Sequence, residues 1–268
     1  MVRFLYIMLT KQIGKDKIIL YKMKGVSKLS LKTINSSKQK PRRLVNYDLT
    51  NPIYISFFAS FLALSGTTVI TFLASFTDEA KDNQYLRGSL ISETCVNIIA
   101  GFTYTYFLKF LADKKLQLEN VTTIRYIDWF LTTPLLLVSF VLYTAYSNGK
   151  GAGDNDLDGV PLIYIIVLNI LMLVSGFLGE TKKIGLYSGF FLGFAFFTPL
   201  MYLLYDKYVK DSEGDTNLIV YILFVIVWAL YGFSYLLNTK WKNISYNTLD
   251  VVSKAGFGMF IWLSIVFK

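Results

Sequence analysis

Apolar residues run in long blocks along most of this chain, separated by short polar stretches. A membrane-spanning helix needs roughly 20 mostly apolar residues. Seven blocks are long enough: about 51–76, 88–112, 123–146, 160–179, 184–205, 217–238 and 247–267. The breaks at 76–87, 148–159 and 206–216 are polar, and the second carries Gly149, Gly151 and Gly153 among its acids, as a loop does. A membrane barrel would show ~10-residue alternating strands, whereas these blocks are long enough for helices that satisfy their own backbone in lipid. The pattern predicts an all-α membrane protein, a seven-transmembrane-helix bundle over 48–268. Before it lies an extension over 1–47, whose apolar stretches 4–9 and 18–21 are too short to span a bilayer.

Composition agrees with that pattern and then narrows the chemistry. Hydrophobic residues make up 54 % of the 268 and charged residues 17 %, where a water-soluble domain carries about 25 % charged residues. The formal net charge of +9 is concentrated in the first 43 residues, in which Asp16 is the only acid. A basic arm beside a membrane domain is expected to meet anionic lipid rather than nucleic acid, and to be poorly ordered. The chain has no histidine, and its single cysteine, Cys95, lies inside an apolar block. That excludes an intrachain disulfide and the commonest metal ligands, so no metal site is expected. Proton chemistry has to run on carboxylates, lysine, tyrosine or water.

Charges at membrane depth are expensive and therefore informative. Glu93 lies in the second block, Arg125 and Asp128 in the third, and Asp250 and Lys254 in the seventh. The last two are four residues apart and share a helix face. In the third block Asp128, Thr132 and Ser139 fall within a sector of ~40°, with Arg125 one turn away. This makes a polar stripe across much of the bilayer, and the sequence offers no comparable stripe elsewhere. Interhelical salt bridges in a transporter or receptor core are one reading of these groups. The other is imine chemistry, because a desolvated lysine attacks an aldehyde readily and the protonated product requires a nearby anion.

The string Arg125-Tyr-Ile-Asp128-Trp129-Phe-Leu-Thr132-Thr133-Pro134 resembles the third-helix signature of microbial (type 1) rhodopsins. Leu249-Asp250-Val-Val-Ser-Lys254-Ala-Gly256-Phe257-Gly258 is similar to their retinal-lysine segment. The resemblance covers about residues 50–268 and implies all-trans retinal bound covalently to Lys254 as a protonated Schiff base. It makes Asp128 the primary counter-ion and proton acceptor, Asp250 the second counter-ion, and Arg125 their support, with Thr132 beside them. Tyr106 is expected to hydrogen-bond near Asp250. Trp129, Thr133, Met172, Gly176, Trp228 and Tyr231 match pocket positions. Gly232 stands where the family has a proline, followed by the aromatic Tyr235. Leu136 stands where leucine goes with green absorption in the related proteorhodopsins. No residue of the fifth block is assigned to the pocket.

The sequence departs from the familiar outward proton pumps at one position above all. Ser139 stands where they carry the carboxylate that reloads the Schiff base, so the triplet is Asp128–Thr132–Ser139, which looks like the viral rhodopsin branch of giant algal viruses. Serine does not titrate near neutral pH. Glu93 is the candidate substitute on the cytoplasmic side, against the bland alternative of a solvated helix-end acid. Lys240 and Lys242 fall in the loop before the seventh block, where pumps carry a glutamate pair.

An outward proton pump is the favoured reading, with a light-gated cation channel as the alternative. A sensory photoreceptor is less favoured, because the chain ends barely past the seventh block. The partners implied are the lipid bilayer and a transported proton or small cation; a homo-oligomer is compatible with the sequence, and an enzyme is not expected. Family topology puts the amino terminus outside and the carboxyl terminus in the cytoplasm of a host-cell membrane, against the positive-inside tendency. The sequons at Asn35, Asn120 and Asn243 fall on that outer side.

Overall fold

The computed structural model describes residues 51–112, 118–150, 157–212 and 214–267. The extension expected over 1–47 lies outside the described residues, as does the sequon at Asn35. All regular elements among the described residues are helical. The first six long helices are Pro52–Ala74, Gln84–Ala112, Leu118–Ser147, Gly159–Glu180, Leu186–Tyr208 and Thr216–Ser234. The seventh is a composite of Thr239–Asp250, a π-helical segment Val251–Gly256, and Phe257–Val266. A short helix, Asp78–Asp82, occupies the first connection.

Local chemistry sets several helix starts. Asn51 accepts from Ile53 N at 3.0 Å, ahead of Pro52 at the first helical position. Asp158 caps the fourth helix through Val160 N at 2.9 Å. Asn238 accepts from Trp241 N at 3.1 Å, which starts the seventh helix at Thr239 rather than near 247. The polar turn containing Lys240 and Lys242, expected as loop, is therefore helical. The sixth helix stops at Ser234, short of the expected 238.

Six of the long helices are long and apolar enough to cross a membrane by length and composition. The second has 29 residues, enough to cross, but carries Arg87, Glu93, Asn97 and Lys109. The seven helices form a closed ring in which each packs on its sequence neighbours and the first packs on the seventh. The third helix also touches the fifth, sixth and seventh, so it runs through the interior of the bundle. That position buries its polar stripe together with Trp129 and Leu136.

Candidate functional site

The seventh helix delivers Lys254 from its π-helical segment, next to Asp250 at the end of the preceding α-helical part. A π turn widens the helix locally and recurs at functional sites. Lys254 Nζ lies 2.5 Å from Asp128 Oδ2 and 3.4 Å from Asp250 Oδ1, and all three side chains are buried. The two carboxylates have very different surroundings. Asp128 Oδ1 has no hydrogen-bond partner among the described residues. Asp250 accepts from Tyr104 Oη at 2.8 Å and Arg125 Nη1 at 3.0 Å through one oxygen, and from Tyr231 Oη at 2.8 Å and Trp129 Nε1 at 3.3 Å through the other. Asp250 is thus held by neighbours on three helices besides its own, whereas the Asp128 carboxylate is held, among the described residues, by the lysine.

Arg125 sits on the other side of Asp250 from the lysine's amine. Its Nη1 also donates to Tyr104 Oη at 3.0 Å, and its Nη2 to Asn247 Oδ1. Asn247 in turn donates to Ser56 Oγ at 2.8 Å, tying the group to the first helix. Asn247 carried no signal in the sequence, because one amide three residues before Asp250 does not stand out. Thr132 donates to the Asp128 backbone carbonyl at 2.9 Å and so braces its own helix rather than a carboxylate.

Tyr106 is not the tyrosine beside Asp250; Tyr104 is. Tyr106 is 41 % exposed on the outer face of the second helix, with its ring edge-on to Phe107. Two residues along a helix turn a side chain by about 200°, so the two tyrosines point in nearly opposite directions. The inward register exposes a second correction. Ser89, Glu93, Asn97 and Tyr104 are all fully buried and recur at near-helical spacing, so the second helix carries a polar stripe of its own beside that of the third.

Ser139 meets that second stripe. Its hydroxyl lies 3.0 Å from the Ser89 hydroxyl, and Ser89 Oγ donates to the Ser139 carbonyl at 3.0 Å. Glu93 follows one turn after Ser89 and is fully buried, with no hydrogen bond to either carboxyl oxygen among the described residues. It packs toward the seventh helix, where a Cβ built on Gly258 would lie 3.5 Å from Glu93 Oε2. The solvated helix-end reading of Glu93 is therefore excluded.

A largely apolar cavity opens from Lys254 and encloses about 790 Å³ of unfilled space including its mouth. All eight pocket residues expected from the sequence line it: Trp129, Thr133, Leu136, Met172, Gly176, Trp228, Tyr231 and Tyr235. Asn169 Nδ2 donates to Thr133 Oγ1 at 2.8 Å and ties the third helix to the fourth. The fifth helix adds Gly189, Phe190, Gly193, Phe194 and Phe197, which the sequence did not single out. Phe194 fills the notch at Gly232, where an added Cβ would come within 2.6 Å of its ring. The Tyr235 hydroxyl is wedged against Gly179 and Gly189, leaving no room for a side chain at either position. A buried primary amine at the wall of an apolar, aromatic cavity, flanked by two carboxylates of which one has a spare acceptor, fits a long apolar aldehyde joined to that amine.

Lys242, expected in a loop, is buried in the first turns of the seventh helix. It pairs with Glu180 at 2.9 Å and lies 5.2 Å from the centre of the Tyr235 ring. A glutamate does stand on this side, but it comes from the end of the fourth helix and is neutralised by the lysine. Asn243 is fully buried and donates to the Thr239 carbonyl at 2.9 Å, so it cannot serve as a sequon acceptor. Asn120 is exposed in the first turn of the third helix.

Comparison with known proteins agrees with this geometry. Residues 52–267 match the family model described as bacteriorhodopsin-like protein. The green-light absorbing proteorhodopsin of Gamma-proteobacterium EBAC31A08 is 27 % identical over 224 residues, covering 78 % of this chain and 84 % of that protein. Sensory rhodopsin-2 of Haloarcula vallismortis is 29 % identical over 221 residues, 76 % of this chain and 86 % of its own. Among solved structures, viral rhodopsin OLPVRII superposes with a TM-score of 0.73 at 31 % identity, covering 81 % of this chain and 98 % of that one.

Proposed function

The chain belongs to the bacteriorhodopsin-like family, the type 1 microbial rhodopsins, and from that premise we propose that it is a light-driven outward proton pump. Members of this family are light-driven transporters and photoreceptors rather than enzymes, and they bind retinal through a lysine Schiff base. Here Lys254 would hold the chromophore in the cavity lined by Trp129, Met172, Gly176, Trp228, Tyr231 and Tyr235. Retinal bound to Lys254 Nζ would supply the light absorption that drives proton movement.

The observation that carries the pump reading is the inequality of the two carboxylates. Asp250, saturated by four side-chain donors, serves as a fixed anion whose ionised form is stabilised by each of them. Asp128, with one oxygen on Nζ and the other unpartnered, receives the proton. Arg125 holds the field that returns Asp128 to its ionised form once the proton moves outward. Ser139 offers no titratable group for reloading from the inner side. Glu93, a buried carboxyl group with no cation paired to it among the described residues, is the group that does. Its place one turn after Ser89, whose hydroxyl meets that of Ser139, puts it beside the position where a reloading acid is needed. The amino terminus is outside and the carboxyl terminus cytoplasmic in this reading, which gives the transport its outward sense.

A light-gated cation channel is the second reading. The buried stripe of Ser89, Glu93, Asn97 and Tyr104 along the second helix favours it, because such a stripe lines a hydrated path readily. Photocurrents under voltage clamp separate the two. A pump gives a current that keeps its outward sign at every voltage, and Asp128→Asn abolishes it. Reversal near a cation equilibrium potential sinks the pump reading, and undiminished pumping by Asp128→Asn sinks the acceptor role. Protease protection of a tagged amino terminus in sealed vesicles tests the orientation.

A further inference from the structure

The guanidinium of Arg125 is surrounded by aromatic rings. Its Cζ lies 5.1 Å from the ring centre of Phe57, 5.3 Å from Tyr104, 5.3 Å from Phe107 and 6.0 Å from Tyr246. The rings come from three helices: Phe57 from the first, Tyr104 and Phe107 from the second, Tyr246 from the seventh. Phe57, Tyr104 and Phe107 are mutually in contact, with centroids 5.7 to 5.9 Å apart. Phe57 and Phe107 are fully buried. Among the described residues Arg125 Nε has no acceptor, and hydrogen bonding fixes the two Nη groups at the far end of the side chain.

We propose that Phe57 and Phe107 are positioning residues: with Tyr104 and Tyr246 they form an aromatic cage that holds Arg125 inward against Asp250. An arginine is a long, flexible side chain, and a charge at this depth gains by moving toward water. The faces of desolvated rings attract a cation by ~0.5–2 kcal/mol each, which adds to the hydrogen bonds from its Nη groups to Tyr104, Asp250 and Asn247. This inference rests on the retinal-protein reading above, since its consequence is read on the chromophore's carboxylate neighbours.

That consequence is spectroscopic. The titratable and charged groups around the guanidinium are Asp250, Lys254 and Tyr246 from the seventh helix, Asp128 from its own, and Tyr104 from the second. Acid shifts the visible band of such a pigment to the red when a carboxylate beside the Lys254 nitrogen takes up a proton. An Arg125 fixed inward opposes that uptake. Releasing it moves the acid transition to higher pH.

The test is a pH titration of the visible band of the full chain, reconstituted with all-trans retinal in lipid nanodiscs. Phe57→Leu is expected to raise the midpoint measurably, by up to about one pH unit, the most that one desolvated cation–ring contact can transmit. Phenylalanine carrying one, two and three ring fluorines at position 57 keeps the shape while emptying the ring face, and is expected to raise the midpoint in graded steps. In an Arg125→Gln background the same changes at position 57 should be silent. A midpoint unmoved by fluorination overturns the proposal, as does an equal shift in the Arg125→Gln background, since either means that Phe57 only fills space. If no visible band forms in the unsubstituted chain, the retinal reading itself fails instead.

Discussion

Replacing Asp250 by asparagine separates a hub carboxylate from a poised one. Asparagine keeps the size, but it has one acceptor oxygen and an amide that only donates. Asp250 receives Tyr104 and Arg125 on one oxygen and Tyr231 and Trp129 on the other, so an amide must point its donor at one of these pairs. The larger loss is the buried ion pair with Arg125 at 3.0 Å, whose two side chains are 1 % and 0 % exposed. Removing one partner of such a pair costs about 3–5 kcal/mol, because the other charge stays buried. Asp128→Asn removes a single charge-assisted bond to Lys254, worth about 1.5–3 kcal/mol, and leaves Asp250 as the remaining anion 3.4 Å from Nζ. Asp250→Asn should therefore lower the temperature at which the retinal-bound protein loses its visible band by on the order of 10 °C, and Asp128→Asn by roughly half as much. The assay is heating of both variants in the same nanodiscs, followed by absorbance. Combining Arg125→Gln with Asp250→Asn should recover part of the loss, since no cation is then left unpaired. An equal or smaller effect of Asp250→Asn, or no recovery in the double variant, refutes the hub argument.

Three further outcomes follow from the same geometry. Lys254→Ala should give no visible band with all-trans retinal, while the unsubstituted chain absorbs in the green because of Leu136; a band well below the green refutes the Leu136 assignment. Glu93→Gln should slow the last, reprotonating phase of the photocycle at least tenfold and leave the resting band nearly unchanged, since its carboxyl oxygens are hydrogen-bonded to nothing described; time-resolved absorbance checks this, and an unaltered phase rules Glu93 out as the reloading acid. Gly179→Ala would place a Cβ 2.0 Å from the Tyr235 hydroxyl with Gly189 Cα 3.4 Å away, so Tyr235 must leave its position at a cost of about 1–3 kcal/mol; an unchanged thermal midpoint of the pigment would show that the notch yields freely.

The number of spans, the lysine and its two aspartates were legible in the one-dimensional pattern for one reason. Charges are so unfavourable in hydrocarbon that Glu93, Arg125, Asp128, Asp250 and Lys254 stand out from their apolar surroundings. Arg125, Asp128 and Asp250 could be expected near Lys254 because family motifs carry register, and the eight pocket residues followed by the same route. The start of the seventh helix was missed because its first turns, with Lys240 and Lys242, are as polar as a loop, and only the Asn238 cap and the Glu180 partner show them to be helical.

Rotation about each helix axis was the harder part. In water the outer face of a helix is polar, and the contrast gives its orientation. In lipid the outer face is apolar, and the inner face stands out only where polar residues recur, as Glu93, Asn97 and Tyr104 do at spacings of 4 and 7; Phe190, Phe194 and Phe197 belong to no such stripe and look alike along the chain. Contacts between helices decide which side chains face the bundle: Tyr104 meets Asp250, Tyr106 faces outward, and Phe194 fills the space at Gly232. The same holds for Phe57 and Phe107, which read as ordinary membrane residues until three helices bring their rings onto Arg125. Sequence thus determined which charges enter the membrane, and the tertiary structure decided which aromatic side chains surround them, because a helix face without polar residues offers no contrast from which to read that choice.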